Sequence, residues 1–82
     1  MKIAYTLTDS FGGEANFGWA VREEEEHPDD LTDLQLVRRV KRWAGWTGRR
    51  CRVERYDTEF RITPIGARAP CMILFAEVQY PS

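Results

Sequence analysis

The chain has 82 residues, 43% of them apolar, with a formal net charge of −1 and a sequence pI near 5.8. That length has room for one domain over residues 1–82 and no second core, and the apolar content suits a folded chain rather than a disordered one. The longest apolar run, Cys71 to Ala76, is too short for a bilayer span, and Met1-Lys2-Ile3-Ala4-Tyr5 passes at once into polar residues; neither a membrane segment nor a signal peptide is expected.

Taken in chain order, Ile3, Tyr5 and Leu7 alternate with Ala4, Thr6 and Thr8, the two-residue period of a half-buried strand. Phe17, Trp19 and Val21 repeat that period. The paired glycines in Asp9–Asn16 imply an antiparallel hairpin with a broad loop. Phe11, at the loop tip, is either a lid on the core or an exposed contact residue. Glu23 to Asp30 reads as an acidic connection carrying His27, a solvated loop histidine.

A helix follows. Thr32 and Gln35 have the spacing of a capping box, and Leu36, Val37, Val40, Trp43 and Ala44 fall on one arc at 100° per residue. Trp43 is therefore expected to be buried against the sheet. Arg38, Lys41 and Arg42 lie on the opposite side with Arg39 near its edge, and Gly45 stops the helix.

After Trp46-Thr47-Gly48 the period returns to two. Cys51 and Val53 form one strand and Phe60 and Ile62 the next, joined by a tight turn at Asp57-Thr58. Cys71 to Tyr80 reads as a last strand, apolar on both faces at first and hence central. The predicted order is β-β-α-β-β-β: an α+β fold with an antiparallel sheet of four to five strands and one helix on one face. Cys51 and Cys71 are expected to be reduced and buried as small hydrophobes.

Charge is sorted along this scaffold. Asp9 to Asp33 holds nine acids against one base, and Arg38 to Arg55 holds eight bases against one acid. Such blocks build local potentials that steer a charged partner. Catalytic parts are scarce, since His27 is the single histidine and neither Ser10 nor Ser82 sits in a nucleophile elbow. Two cysteines and one histidine do not complete a structural zinc site. No enzyme activity, metal, cofactor or small-molecule substrate is expected.

Two charged surfaces remain as candidate sites. The acidic one comprises Glu23, Glu24, Glu25, Glu26, Asp29 and Asp30, joined by Phe11, and would meet a basic protein surface. Its residues could instead pair with the chain's own arginines. The basic one, Arg38, Arg39, Arg42, Arg49 and Arg52 with Trp43, Trp46 and Tyr56 interleaved, would meet nucleic acid. Bases near a helix C-terminus and acids near its N-terminus also complement the helix dipole with no ligand at all, and the slightly acidic pI disfavours a dedicated nucleic-acid binder.

Two stretches, KIAYTLTDSFGGEANFGW (Lys2–Trp19) and RRVKRWAGWTGRRCRVERY (Arg38–Tyr56), resemble small phage- and prophage-encoded proteins. In type the chain is similar to anti-CRISPR and other anti-defence proteins, which are short, cofactor-free domains that inhibit by binding. That resemblance implies a phage-derived inhibitor in the cytoplasm of an infected bacterial host, with a host protein or a CRISPR–Cas defence complex as its partner. Nucleic acid is the alternative partner.

Overall fold

Gly12 and Gly13, with φ of 62° and 85°, close a two-residue turn between β1 (Lys2–Phe11) and β2 (Glu14–Glu26). Positive φ at both turn residues gives the twist that two antiparallel strands need. The hairpin loop is thus far tighter than the sequence suggested. β2 is also longer than expected: it absorbs Glu23–Glu26, which were assigned to a connection.

The computed structural model describes residues 1–79, so the expected end of the last strand at Tyr80 lies outside the described residues. After β2 come α1 (Asp33–Trp43), β3 (Cys51–Tyr56), β4 (Glu59–Pro64) and β5 (Met72–Gln79). The strands form one antiparallel sheet in the order β2-β1-β5-β4-β3. β5 is central, as its two-sided apolar content required, while β2 and β3 are the edges.

α1 covers one sheet face. Gln35 donates its backbone N–H to Thr32 Oγ1 at 3.2 Å, and the Thr32 N–H reaches Gln35 Oε1 at 3.0 Å. This reciprocal cap satisfies two orphan donors and is worth about 1 kcal/mol. Leu36 and Val40 are buried against Ile3, Tyr5, Phe60, Ile62, Leu74, Ala76 and Val78, with Val37, Trp43 and Ala44 packed at the margin. Trp43 is only half-buried. Trp46, assigned to the basic surface, is instead a core residue at 6% exposure; a Gly45 φ of 76° turns the chain after the helix and sends this indole inward.

Sheet pairing leaves the other face open. One row across it reads Arg22, Thr6, Phe75, Arg61 and Glu54, and the adjacent row reads Glu24, Ala4, Glu77, Glu59 and Tyr56. Cys51 is half-buried, but Cys71 is exposed in the loop before β5, contrary to the expected burial. No helix among the described residues is long and apolar enough to cross a membrane.

Candidate functional site

The four consecutive glutamates lie on an edge strand, and the two-residue period divides them. Tyr5 pairs with Glu23 and Ile3 with Glu25, placing those two on the helix face; Ala4 pairs with Glu24 and Lys2 with Glu26, placing those on the open face. Trp43 Nε1 donates to Glu23 Oε2 at 2.6 Å. Lys2 Nζ lies 3.7 Å from Glu24, and the N-terminal amine lies 3.9 Å from Glu26 and also pairs with Asp29. Asp33 accepts two hydrogen bonds from Arg55 Nη1, each 2.7 Å, which ties the helix start to β3. All six proposed acids nevertheless remain exposed. Charge on a sheet edge also has a use within the fold, because it discourages pairing with a foreign strand.

His27 is not the solvated histidine that its acidic neighbours suggested. Its side chain is 6% exposed. Its Nε2 is hydrogen-bonded with the Tyr5 hydroxyl and lies 3.6 Å from Glu25, while Arg39 Nη1 is 3.4 Å from Nδ1. A guanidinium only donates, so Nδ1 accepts and the proton sits on Nε2, directed at the Tyr5 oxygen. Burial, then the Arg39 charge, holds the imidazole pKa below its usual value, with the N-terminal amine adding to this; Glu25 and Glu26 oppose the shift. Burial and then Glu25 push the Tyr5 hydroxyl up to about 12. The contacts draw on residues far apart in sequence, so no local signal marks them.

The basic set does not form one surface. Arg38 and Arg42 line a cavity of about 290 Å³ with Lys41, Thr47 and Gly48 on the outer side of α1. Arg39 turns toward His27 instead. Arg49 is exposed after the helix, but Arg52 points to the open sheet face and lies 3.5 Å from Glu54. One-residue alternation along β3 separates Arg52 from the helix arginines.

The open face also carries a bulge that the alternation of Phe17, Trp19 and Val21 does not announce. Thr8 pairs with Ala20 and Ser10 with Ala15, so Asn16–Trp19 bulge out opposite Asp9. Asp9 holds this bulge: its carboxylate accepts from Asn16 Nδ2 at 2.8 Å and from the Gly18 N–H at 2.9 Å. Those bonds, the one from Asn16 foremost, lower the Asp9 pKa. The buried Thr8 hydroxyl accepts from the Phe17 N–H at 3.0 Å and donates to the Trp19 carbonyl at 3.1 Å.

Phe17 adopts φ of 55°, a left-handed conformation rarely used by a bulky residue. Its ring lies over Phe75, with centroids 6.3 Å apart and planes 13° from parallel. Arg61 stands over the Phe75 ring, 5.8 Å from its centroid, and donates to the Gly13 carbonyl at 3.3 Å. Phe17 and Trp19 are consequently exposed rather than inward, and Val21, which keeps register with Leu7 on the edge strand, is exposed as well. Phe11 is 82% exposed, which settles the choice between lid and contact residue in favour of exposure.

Among the described residues, no group of three or more His, Cys, Asp or Glu side chains is placed to hold a metal ion. Comparison with known proteins finds no family model, no curated protein and no solved structure that matches the chain.

Proposed function

We propose that this chain is a non-catalytic binding protein that masks a basic surface on a bacterial host protein with its acidic sheet edge. The observation that carries the reading is the placement of Glu23–Glu26 on the edge strand β2, exposed and followed closely by Asp29 and Asp30. A strand holds its carboxylates at a fixed spacing, with Glu24 and Glu26 together on the open face and Glu23 and Glu25 on the helix face, which a mobile connection does not. Their field favours encounter with clustered Lys and Arg, including a protein surface that normally holds nucleic acid. His27, the single histidine, is engaged with Tyr5 inside the fold. In this reading, prompted by the likeness in type to small phage proteins, the partner is a host defence complex of the CRISPR–Cas kind, met in the host cytoplasm.

The cavity bounded by Arg38, Lys41 and Arg42 favours a second reading, a nucleic-acid-binding accessory protein. Capture from bacterial lysate by wild type and by variants separates the two. Glu24→Lys with Glu26→Lys abolishes capture in the first reading, and Arg38→Glu with Arg42→Glu leaves it intact. Under the second reading the arginine changes are the damaging ones, and random DNA or RNA is shifted by wild type at low salt.

A further inference from the structure

The open face carries a cleft whose chemistry is more specific than that of the acidic edge. It has a volume of about 160 Å³ and is lined by Ala4, Thr6, Phe17, Arg22, Glu59, Phe75 and Glu77. Ala4 and Thr6 form a small-residue floor, the Phe17–Phe75 pair forms an aromatic wall, and Glu59 and Glu77 stand at the β4–β5 side. These two glutamates are directly opposite in the sheet register. Like charges in that position destabilise a sheet, because their Cβ atoms are only about 5 Å apart. Among the described residues neither glutamate side chain has an ion pair or hydrogen bond. Arg61 lies in the next row and is turned to Phe75 and the Gly13 carbonyl.

The aromatic wall also has a cost. Phe17 holds a positive φ and a half-exposed ring, and the Asp9 and Thr8 side chains fix that bulge with several hydrogen bonds. Strain kept in place by such a frame is a mark of binding surfaces. Arg22 lines the cleft and Arg61 stands over Phe75, yet neither pairs with Glu59 or Glu77, so these two carboxylates call for a further cation that is planar, able to stack, and able to bond both acids.

We propose that the open-face cleft receives an arginine side chain of the basic partner, its guanidinium stacked on the Phe17–Phe75 pair and bonded to Glu59 and Glu77. This assignment rests on the proposed basic partner and deepens it, since Glu24 stands in the same row as Glu77 and Glu59 and joins the edge to the cleft. Arginine suits the site better than lysine because its flat, delocalised charge both stacks and forks. Arg22, at the β2 end of the cleft, is exposed and has no ion pair with Glu59 or Glu77.

The test is a two-dimensional NMR titration of the full chain with N-acetyl-arginine methylamide, alongside the lysine and norleucine analogues. Saturable shifts centred on Phe17, Glu59, Phe75 and Glu77, larger for arginine than for lysine and absent for norleucine, are expected. Glu59→Gln with Glu77→Gln should weaken binding about fivefold, as loss of two modest ion pairs requires. That double variant should melt no lower than wild type, since it relieves the opposed charges; a fall in Tm would contradict the reading. Phe17→Gly, which accepts the positive φ without strain but removes the ring, should also weaken binding. Arginine shifts confined to other surfaces, or an affinity unchanged in the double variant, would overturn the cleft. Capture of a partner through Glu24 and Glu26 with no arginine binding in the cleft would overturn this assignment alone. Arginine binding in the cleft with capture indifferent to edge reversal would instead support it and remove the edge reading.

Discussion

Glu23 accepts the indole N–H of Trp43 at 2.6 Å, so the acidic edge strand and the last turn of the helix are joined by one hydrogen bond. A carboxylate that serves the fold in this way is not free to serve a partner. Glu23→Ala should cost about 1 kcal/mol, the usual net worth of a hydrogen bond with partial solvent access. Glu23→Gln keeps an acceptor and should lose less than half of that. Urea denaturation midpoints distinguish the three proteins; equal midpoints would show that the bond contributes nothing.

The two helix-end tryptophans should respond in the reverse of their expected order. Trp43 is half-buried, with its ring 4.9 Å from Tyr5, whereas Trp46 is 6% exposed within the core. Trp46→Ala should therefore cost about 3–5 kcal/mol, the range for a buried large aromatic, and Trp43→Ala about half as much. Thermal or chemical unfolding of both variants checks the ranking, and a larger loss at Trp43 would contradict this packing.

His27 gives the fold a pH dependence of definite sign. Its imidazole is faced by Tyr5 from β1, Glu25 and Glu26 from β2, Arg39 and Arg42 from α1, and the N-terminal amine. The net effect lowers its folded pKa, so the unfolded chain takes up the proton first as pH falls. The neutral ring's contribution is complete above the unfolded value of about 6.5 and is lost as pH drops from there toward the folded pKa. Tm should fall between pH 7.5 and pH 5.5 in wild type, and His27→Gln should flatten that slope. A Tm that rises over the same interval would reverse the sign of the argument.

How much of this was legible depended on whether the deciding contact was local. Thr32, Gln35 and the Leu36–Val40 pair specify the helix within a few residues, so its boundaries and the centre of its buried face could be read directly, whereas Trp43 at its end is only half-buried. β5 was readable for a similar reason, its run from Cys71 to Ala76 having no polar side to expose. Glu23–Glu26 offered no alternation to read, because four identical residues look alike in any period. A signal was available elsewhere: a Gly12-Gly13 turn with β1 beginning at Lys2 demands a partner strand of similar reach.

The bulge defeated a different rule. Phe17, Trp19 and Val21 alternate as if they faced a core, yet Asp9 and Asn16 supply the side-chain bonds that lift Asn16–Trp19 off the register, and Val21, still paired with Leu7, is left exposed on the edge strand. Asp, Asn and Gly18 clustered across the hairpin were the clue, since such residues compete with strand pairing through local backbone bonds. The cleft was half visible: alternation places Glu59 and Arg61 on one face and Phe75 and Glu77 on one face. Only the sheet order shows that these faces meet.

In the proposed function the acidic edge holds a basic partner. The most direct measurement is the affinity of the captured, purified host protein for wild type and for the Glu24→Lys/Glu26→Lys variant, at low and at physiological salt. Both glutamates point to the open face, and their exposed pairs with Lys2 and the N-terminal amine are worth little to the fold. The double variant should keep the wild-type Tm within a few degrees and bind at least about tenfold more weakly, a change of about 1.4 kcal/mol. Wild-type association should slow as salt rises, through screening over a Debye length of about 8–10 Å. Undiminished affinity in the reversed variant, with no salt dependence in wild type, would contradict the account.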